Sequence, residues 1–161
     1  MNNKHFFTGL LSLFLVFTVG CNSNSDTDSN AESTGTTETA DAGTDEGANP
    51  KGIGKYQNVE LTHPLDENMV TTGKNVYDVK CSSCHKVTEE RLVGPGFKGV
   101  TDRRTPEWIM NFVTNTEEML AKDTAAQNML EVCLVKMPNQ GLSETDARSV
   151  LEFLRKNDGK Q

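Results

Sequence analysis

Apolar positions recur at helical spacing four times between residues 67 and 157. From about Glu67 to Cys81, Gly73, Tyr77 and Cys81 stand four apart on one face, with Val70 and Val76 beside them. A second stripe, Trp108, Ile109, Phe112 and Val113, follows Thr105, a suitable N-cap, and Pro106, a suitable first helical residue. A third helix is predicted after Asp123 or Thr124, where "TAAQ" has the form of a capping box, with Met129, Leu130, Cys133 and Leu134 on its buried face. The fourth begins at Ser143 with acids in its first turn. Ala147, Val150, Leu151 and Leu154 then follow the i, i+3, i+4, i+7 pattern, with Phe153 on the flank. Between the first and second helices, "VGPGFKGVTDRR" is punctuated by Gly and Pro and predicts a loop. No segment alternates as a strand does. The expectation is an all-α domain of about four helices.

Upstream the pattern is different. Lys4 precedes the apolar run Phe6 to Gly20, which is shorter than the ~20 residues a spanning helix needs. Residues 1–20 read as an export signal. The run stops at Cys21, directly after small residues, and this junction resembles the signal of bacterial lipoproteins, which implies an acylated Cys21 as mature N-terminus and membrane attachment through lipid. The plainer alternative is an ordinary cleaved signal followed by an incidental cysteine. Asn22 to Pro50 carries seven acids, no base and no aromatic or large aliphatic residue. Such a composition cannot bury enough apolar surface to offset the entropy of ordering it. The expected organisation is a signal at 1–20, a lipidated N-terminus and acidic tether at 21–57, and a folded domain at 58–161.

Charge follows the same division. The formal net charge is -7, yet residues 51–161 hold 15 Lys/Arg against 16 Asp/Glu. The acidity belongs to the tether, and nothing basic enough for nucleic acid remains. A folded part of about 100 residues with a modest apolar stock is of the size that leans on a cofactor, metal or disulfide.

The candidate chemistry lies in "KCSSCHK", residues 80–86. Zinc needs four ligands, and beyond Cys81, Cys84 and His85 the domain offers only His63 and Cys133, with no second close pair. A redox dithiol wants its cysteines at the start of a helix following a strand, whereas this pair closes a helix. A disulfide between Cys81 and Cys84 would close a very small, strained ring. The remaining reading uses the next residue: Cys81-Ser-Ser-Cys84-His85 is the C-x-x-C-H haem attachment signature. Two thiols add across the haem vinyl groups, and the adjacent imidazole falls beneath the iron.

Residues 68–157 resemble a class I mono-haem cytochrome c. Gly73 and Tyr77 stand eight and four positions before Cys81, as do the glycine and aromatic of that family's first helix. The resemblance implies that they pack on the last helix near Val150, Phe153 and Leu154. It also implies one covalent haem c on Cys81 and Cys84, with His85 as proximal ligand. Gly94-Pro95 resembles the family loop whose proline carbonyl accepts the histidine's second N–H, and "KMPNQGLSETDA" resembles the segment that delivers a methionine ligand. Met137 in that segment sits in an irregular loop before Pro138, and is the expected sixth ligand. Met129, Met119 and His63 are its rivals. Trp108 is expected in the core or, as often in the family, with its indole N–H on a haem propionate. Arg103 and Arg104 are candidates to neutralise propionates or are simply solvated. Cys133 is expected as a small buried hydrophobe.

The function implied is electron transfer, not enzymology, between redox proteins of the cell envelope, with the domain facing the periplasm or the cell surface. A haem enzyme or gas sensor with a labile sixth site is the alternative. The stretch from "DRRTPEWIMNF" to "MPNQGLS" is similar to lipoprotein cytochromes that accompany nitrous-oxide reductase. A shuttle from a quinol-oxidising complex to a terminal oxidase is the rival assignment.

Overall fold

The computed structural model describes residues 49–161. The expected signal and the Cys21 acylation site lie outside the described residues. Six helices form: α1 (Glu67–Lys80), α2 (Val100–Arg103), α3 (Pro106–Thr114), α4 (Thr116–Lys122), α5 (Thr124–Cys133) and α6 (Glu144–Asn157). Among the described residues there is no strand, only an isolated antiparallel bridge between His85 and Arg91. The fold is all-α.

The first and last helices cross at a glycine. A Cβ on Gly73 would lie 2.0 Å from the Ser149 carbonyl oxygen and 2.9 Å from Phe153 Cβ, so only glycine allows this approach. Tyr77, one turn on, meets Phe153 with ring centroids 5.3 Å apart. α6 buries Ala147, Val150, Leu151 and Leu154 as its periodicity predicts. The caps at Thr105 and Ser143 are those expected; of Asp123 and Thr124 the cap is Asp123, and the "TAAQ" capping box does not form, since Gln127 Nε2 donates to the Ala121 carbonyl instead. Thr105 accepts from the Trp108 N–H, Asp123 from that of Ala126, and Ser143 from that of Asp146.

Two short helices escape the sequence reading. α4 follows a break at Asn115 (φ -145°, ψ 60°), where Asn115 Nδ2 donates to Glu118 Oε2 at 2.6 Å. The acids Glu117 and Glu118 in its first turn and the Glu118–Lys122 pair were a legible signal. α2 is capped from far away, by Asp158, through hydrogen bonds from Gly99 N (2.7 Å), Thr101 N (2.9 Å) and Thr101 Oγ1 (2.7 Å). The predicted stripe of α5 also ends early. Leu134 leaves the helix at φ 58° and is 85 % exposed, and Cys133 is half-buried.

The packed body begins before residue 58. Asn111, 1 % exposed, receives the Tyr56 N–H on Oδ1 (3.0 Å) and donates from Nδ2 to the Lys51 and Tyr56 carbonyls (both 2.9 Å). Ile53 N donates to Met119 Sδ at 3.0 Å, and Val59 N to Glu107 Oε1 at 3.0 Å. Residues 49–59 therefore form a strap across α3 and α4, and the expected boundary at 58 falls inside it. Composition hid this, because the strap is held through its backbone. Further along, Arg155 binds the Thr62 carbonyl (3.3 Å) and the buried Glu152 (2.7 Å). Arg148 Nη1 makes an ion pair with the same carboxylate at 2.5 Å, without a hydrogen-bond alignment.

Candidate functional site

The end of α1 builds the site. The helix closes with Cys81 N on the Tyr77 carbonyl (2.9 Å), and the chain turns again as Cys84 N and His85 N both reach the Cys81 carbonyl (3.0 and 2.9 Å). This turn brings both thiols and the imidazole together. Tyr77 donates its hydroxyl to the His85 carbonyl at 2.7 Å, so the first helix holds the histidine's backbone directly. The returning chain is stapled below. Val93 N and Gly94 N bond the Cys84 carbonyl, Phe97 N bonds that of Lys86, and Asn157 Nδ2 reaches that of Val87.

His85 is buried, and its Nδ1 lies 2.8 Å from the Pro95 carbonyl. A carbonyl only accepts, so Nδ1 carries the proton and the neutral ring keeps its Nε2 lone pair free for a metal. Burial pushes the imidazole below its ordinary value, against the opposing Pro95 bond, and so favours this neutral form. Gly94 lets the backbone pass against the ring: a Cβ there would stand 2.2 Å from His85 Cε1. Phe97 stacks on the ring, with centroids 4.5 Å apart and planes 11° from parallel.

Cys81 and Cys84 are both free thiols. Burial pushes the Cys81 thiol up, with Lys80 opposing and Cys84 adding, so it stays protonated and is a poor thiolate ligand. Among the described residues, no group of three His, Cys, Asp or Glu side chains is placed to hold a metal ion.

A haem fits these residues. It needs two thiols, an imidazole with Nε2 available, and apolar walls. Leu92 and Val93 adjoin the attachment turn. Arg91 Nη2, donating to the Val132 carbonyl at 2.8 Å, joins them to Val132, Leu134 and Val135. Those five are among the six large apolar residues exposed in the described part of the chain, so the exposed apolar surface concentrates beside the attachment turn.

The Cytochrome c family model matches residues 70–158, more than half of the chain. The chain belongs to the cytochrome c family. It is a haem electron-transfer protein with one covalently attached haem c. Among solved structures it is similar to cytochrome c from Rhodothermus marinus: 30 % identity, TM-score 0.65, covering 70 % of this chain and 96 % of that one. An engineered cytochrome c from the same organism has 28 % identity and TM-score 0.65, covering 70 % and 100 %. An engineered form bound to a carbene intermediate has 28 % identity and TM-score 0.63 over the same shares. A search of curated proteins gave no match.

The remaining candidates divide. Trp108 is core, and its single N–H is donated to Asp123 Oδ1 at 3.1 Å, so it is not offered to a propionate. Asp123 at the α5 N-terminus competed for that proton, which no local pattern announced. Arg103 bonds the Lys98 carbonyl, and the Arg104 guanidinium lies 4.8 Å from the Trp108 ring centroid. His63 is exposed, with Nδ1 3.0 Å from the Gln161 carbonyl oxygen. Met119 is wholly buried with its sulfur engaged by Ile53 N, Met110 is core, and Met129 packs against the core. Met137 lies half-buried in the irregular segment between α5 and α6. Phe97 and Tyr77 are the residues that sequence reasoning left without a role at the histidine. A cavity of about 680 Å³ between the strap, α3 and Glu144 contains none of the residues of the attachment turn.

Proposed function

We propose that this cytochrome c carries single electrons between redox proteins of the cell envelope, using His85 and Met137 as axial ligands and an acylated Cys21 as membrane anchor. The observation that carries the ligation is the His85 Nδ1–Pro95 bond, which commits the proton to Nδ1 and leaves Nε2 to face a metal. Met137 is supported by what the other methionines do. Met110 and Met119 are spent on packing, while Met137 alone lies in a loop before a proline. A haem held at Cys81 and Cys84 would supply a ferrous/ferric couple, and ligation by His85 and Met137 would favour its ferrous state. The chain's own part is to fix the imidazole plane and proton, to wall the site with apolar side chains, and to keep both axial positions filled.

The acceptor we assign is a terminal reductase or oxidase. The likeness of the 102–143 stretch to lipoprotein cytochromes of that system favours nitrous-oxide reductase. Among the described residues no helix is long and apolar enough to cross a membrane; the attachment proposed is through Cys21.

Optical spectra of the exported protein test the ligation. His/Met coordination gives a weak ferric band at ~700 nm, lost in Met137→Ala with haem still attached. Met129→Ala should keep the band and cost about 2 kcal/mol as a packing defect. The opposite pattern refutes Met137. Intact mass of membrane-extracted protein tests the anchor, and an unmodified N-terminus elsewhere than Cys21 refutes it. Oxidation of the reduced protein by purified nitrous-oxide reductase, against a terminal oxidase, decides the acceptor.

A further inference from the structure

The loop from Leu134 to Gly141, which carries Met137, has little of its own to hold it. Positions 135–142 make no backbone–backbone hydrogen bond among the described residues. The loop opens on Leu134 in the left-handed region, an unfavourable start for a residue with a Cβ. Its internal ties are local, Gln140 Nε2 to the Pro138 carbonyl and Gly141 N to Asn139 Oδ1.

Two cationic side chains reach it from the haem-attachment segment. Lys80, directly before Cys81, donates Nζ to the Gln140 carbonyl at 2.9 Å, near the loop's far end. Arg91, whose backbone pairs with His85, donates Nη2 to the Val132 carbonyl at 2.8 Å, at the loop's root. The Val132 carbonyl is one of the last four of α5, which lack helical partners and carry the negative end of the helix dipole, so a guanidinium is well suited there. Both ends of an otherwise unsupported loop are thus tied to the segment that holds the haem.

We propose that Lys80 and Arg91 are positioning residues that hold the 134–141 loop in place and so set how readily Met137 leaves the iron. This rests on Met137 being the sixth ligand. Both side chains are exposed, so replacing them leaves the core intact. The effect belongs to ligand dissociation rather than to folding.

The test uses the full-length holoprotein and the association rate of carbon monoxide with its ferrous form, which requires the sixth position to open. Lys80→Met and Arg91→Met should each speed association about tenfold, the factor expected for losing one charge-assisted hydrogen bond. Arg91→Lys, which keeps a donor, should restore most of the slow rate. Covalent haem content should match the parent in all three, and the melting temperature should fall by no more than one lost hydrogen bond accounts for. Met137→Ala should bind fastest. If Met137→Ala is fast but both methionine variants bind at the parent rate, the clamp is refuted and the ligation stands. If Met137→Ala binds no faster than the parent, the ligation reading fails and the clamp with it.

Discussion

The Phe97 ring covers one face of the His85 imidazole, 4.5 Å away and 11° from parallel, while Tyr77 stands 6.1 Å behind it. The imidazole is therefore held by an edge bond to Pro95 and a face contact to Phe97. An aromatic pair of this kind contributes about 0.5–1.5 kcal/mol beyond its buried area. Phe97→Leu keeps apolar volume but removes the flat face. Expected are retained covalent haem, a stability loss of about 1 kcal/mol, and a changed proton hyperfine-shift pattern of the ferric haem methyls, which reports the imidazole plane. Phe97→Tyr should keep the parent pattern. A leucine variant with unaltered methyl shifts would show that the stack positions nothing.

Asp158 fastens the end of α6 to the α2 turn and gives the fold an acid-sensitive joint. Burial pushes its carboxyl up, but hydrogen bonds from Thr101 N and Oγ1 and from Gly99 N together outweigh that and hold it below the ordinary 3.8. A depressed carboxylate contributes stability that is present above its unfolded value and lost as pH falls through its folded one. Denaturant unfolding at pH 7 should find Asp158→Ala weaker by about 1–2 kcal/mol. The parent should lose its advantage over the variant below about pH 4. An undiminished difference at pH 2.5 would contradict the assignment.

How far the sequence was readable depended on whether a signal was local. Thr105 and Ser143 can be named as caps, and the third narrowed to Asp123 or Thr124, because each cap and its helix are adjacent in sequence. Gly73 and Tyr77 could be placed because their spacing to Cys81 is itself the pattern. The α2 turn has the sequence of a loop because its cap, Asp158, lies 57 residues away from Thr101. The strap at 49–59 falls largely within the expected tether, because Asn111 and Met119 grip it through backbone amides, which composition does not register. Trp108 was assigned two roles because an indole N–H suits either a carboxylate side chain or a propionate, and only tertiary placement of Asp123 separates them.

Asn111 offers a direct test of the strap. Its amide makes three buried or half-buried bonds to the backbone of residues 51 and 56. Asn111→Ala leaves the Tyr56 N–H and two carbonyls without partners, a loss of about 2–4 kcal/mol. Hydrogen exchange should show the Tyr56 amide losing protection while the amides of α6 keep theirs under native conditions. Asn111→Asp keeps the acceptor but sets a carboxylate oxygen against the two carbonyls in a buried site, and should cost at least as much as Asn111→Ala. Uniform loss across both regions would mean that the strap is no separate element but part of the global fold.

Gly94 tests whether the proximal side tolerates any enlargement. An added Cβ would stand 2.2 Å from His85 Cε1, 2.7 Å from Nδ1 and 2.8 Å from Nε2, all far inside contact distance. The ring cannot withdraw freely, since Phe97 covers it and Pro95 binds Nδ1. The backbone has little freedom either, because Gly94 N is bonded to the Cys84 carbonyl at 2.9 Å. Gly94→Ala should therefore displace the imidazole from its place rather than be absorbed. The expected holoprotein keeps both thioethers, since Cys81 and Cys84 are set by the α1 end, but shows weakened proximal ligation: a high-spin ferric component and a fall in melting temperature. Gly159→Ala is the control, a glycine at positive φ (76°), away from the histidine and the Met137 loop, whose added Cβ would meet nothing within 4 Å. It carries backbone strain without touching the histidine, costing about 1–2 kcal/mol with an unchanged spectrum. A Gly94→Ala protein with a fully low-spin spectrum would mean that the loop can open around His85, and that the close approach is not what fixes the ligand.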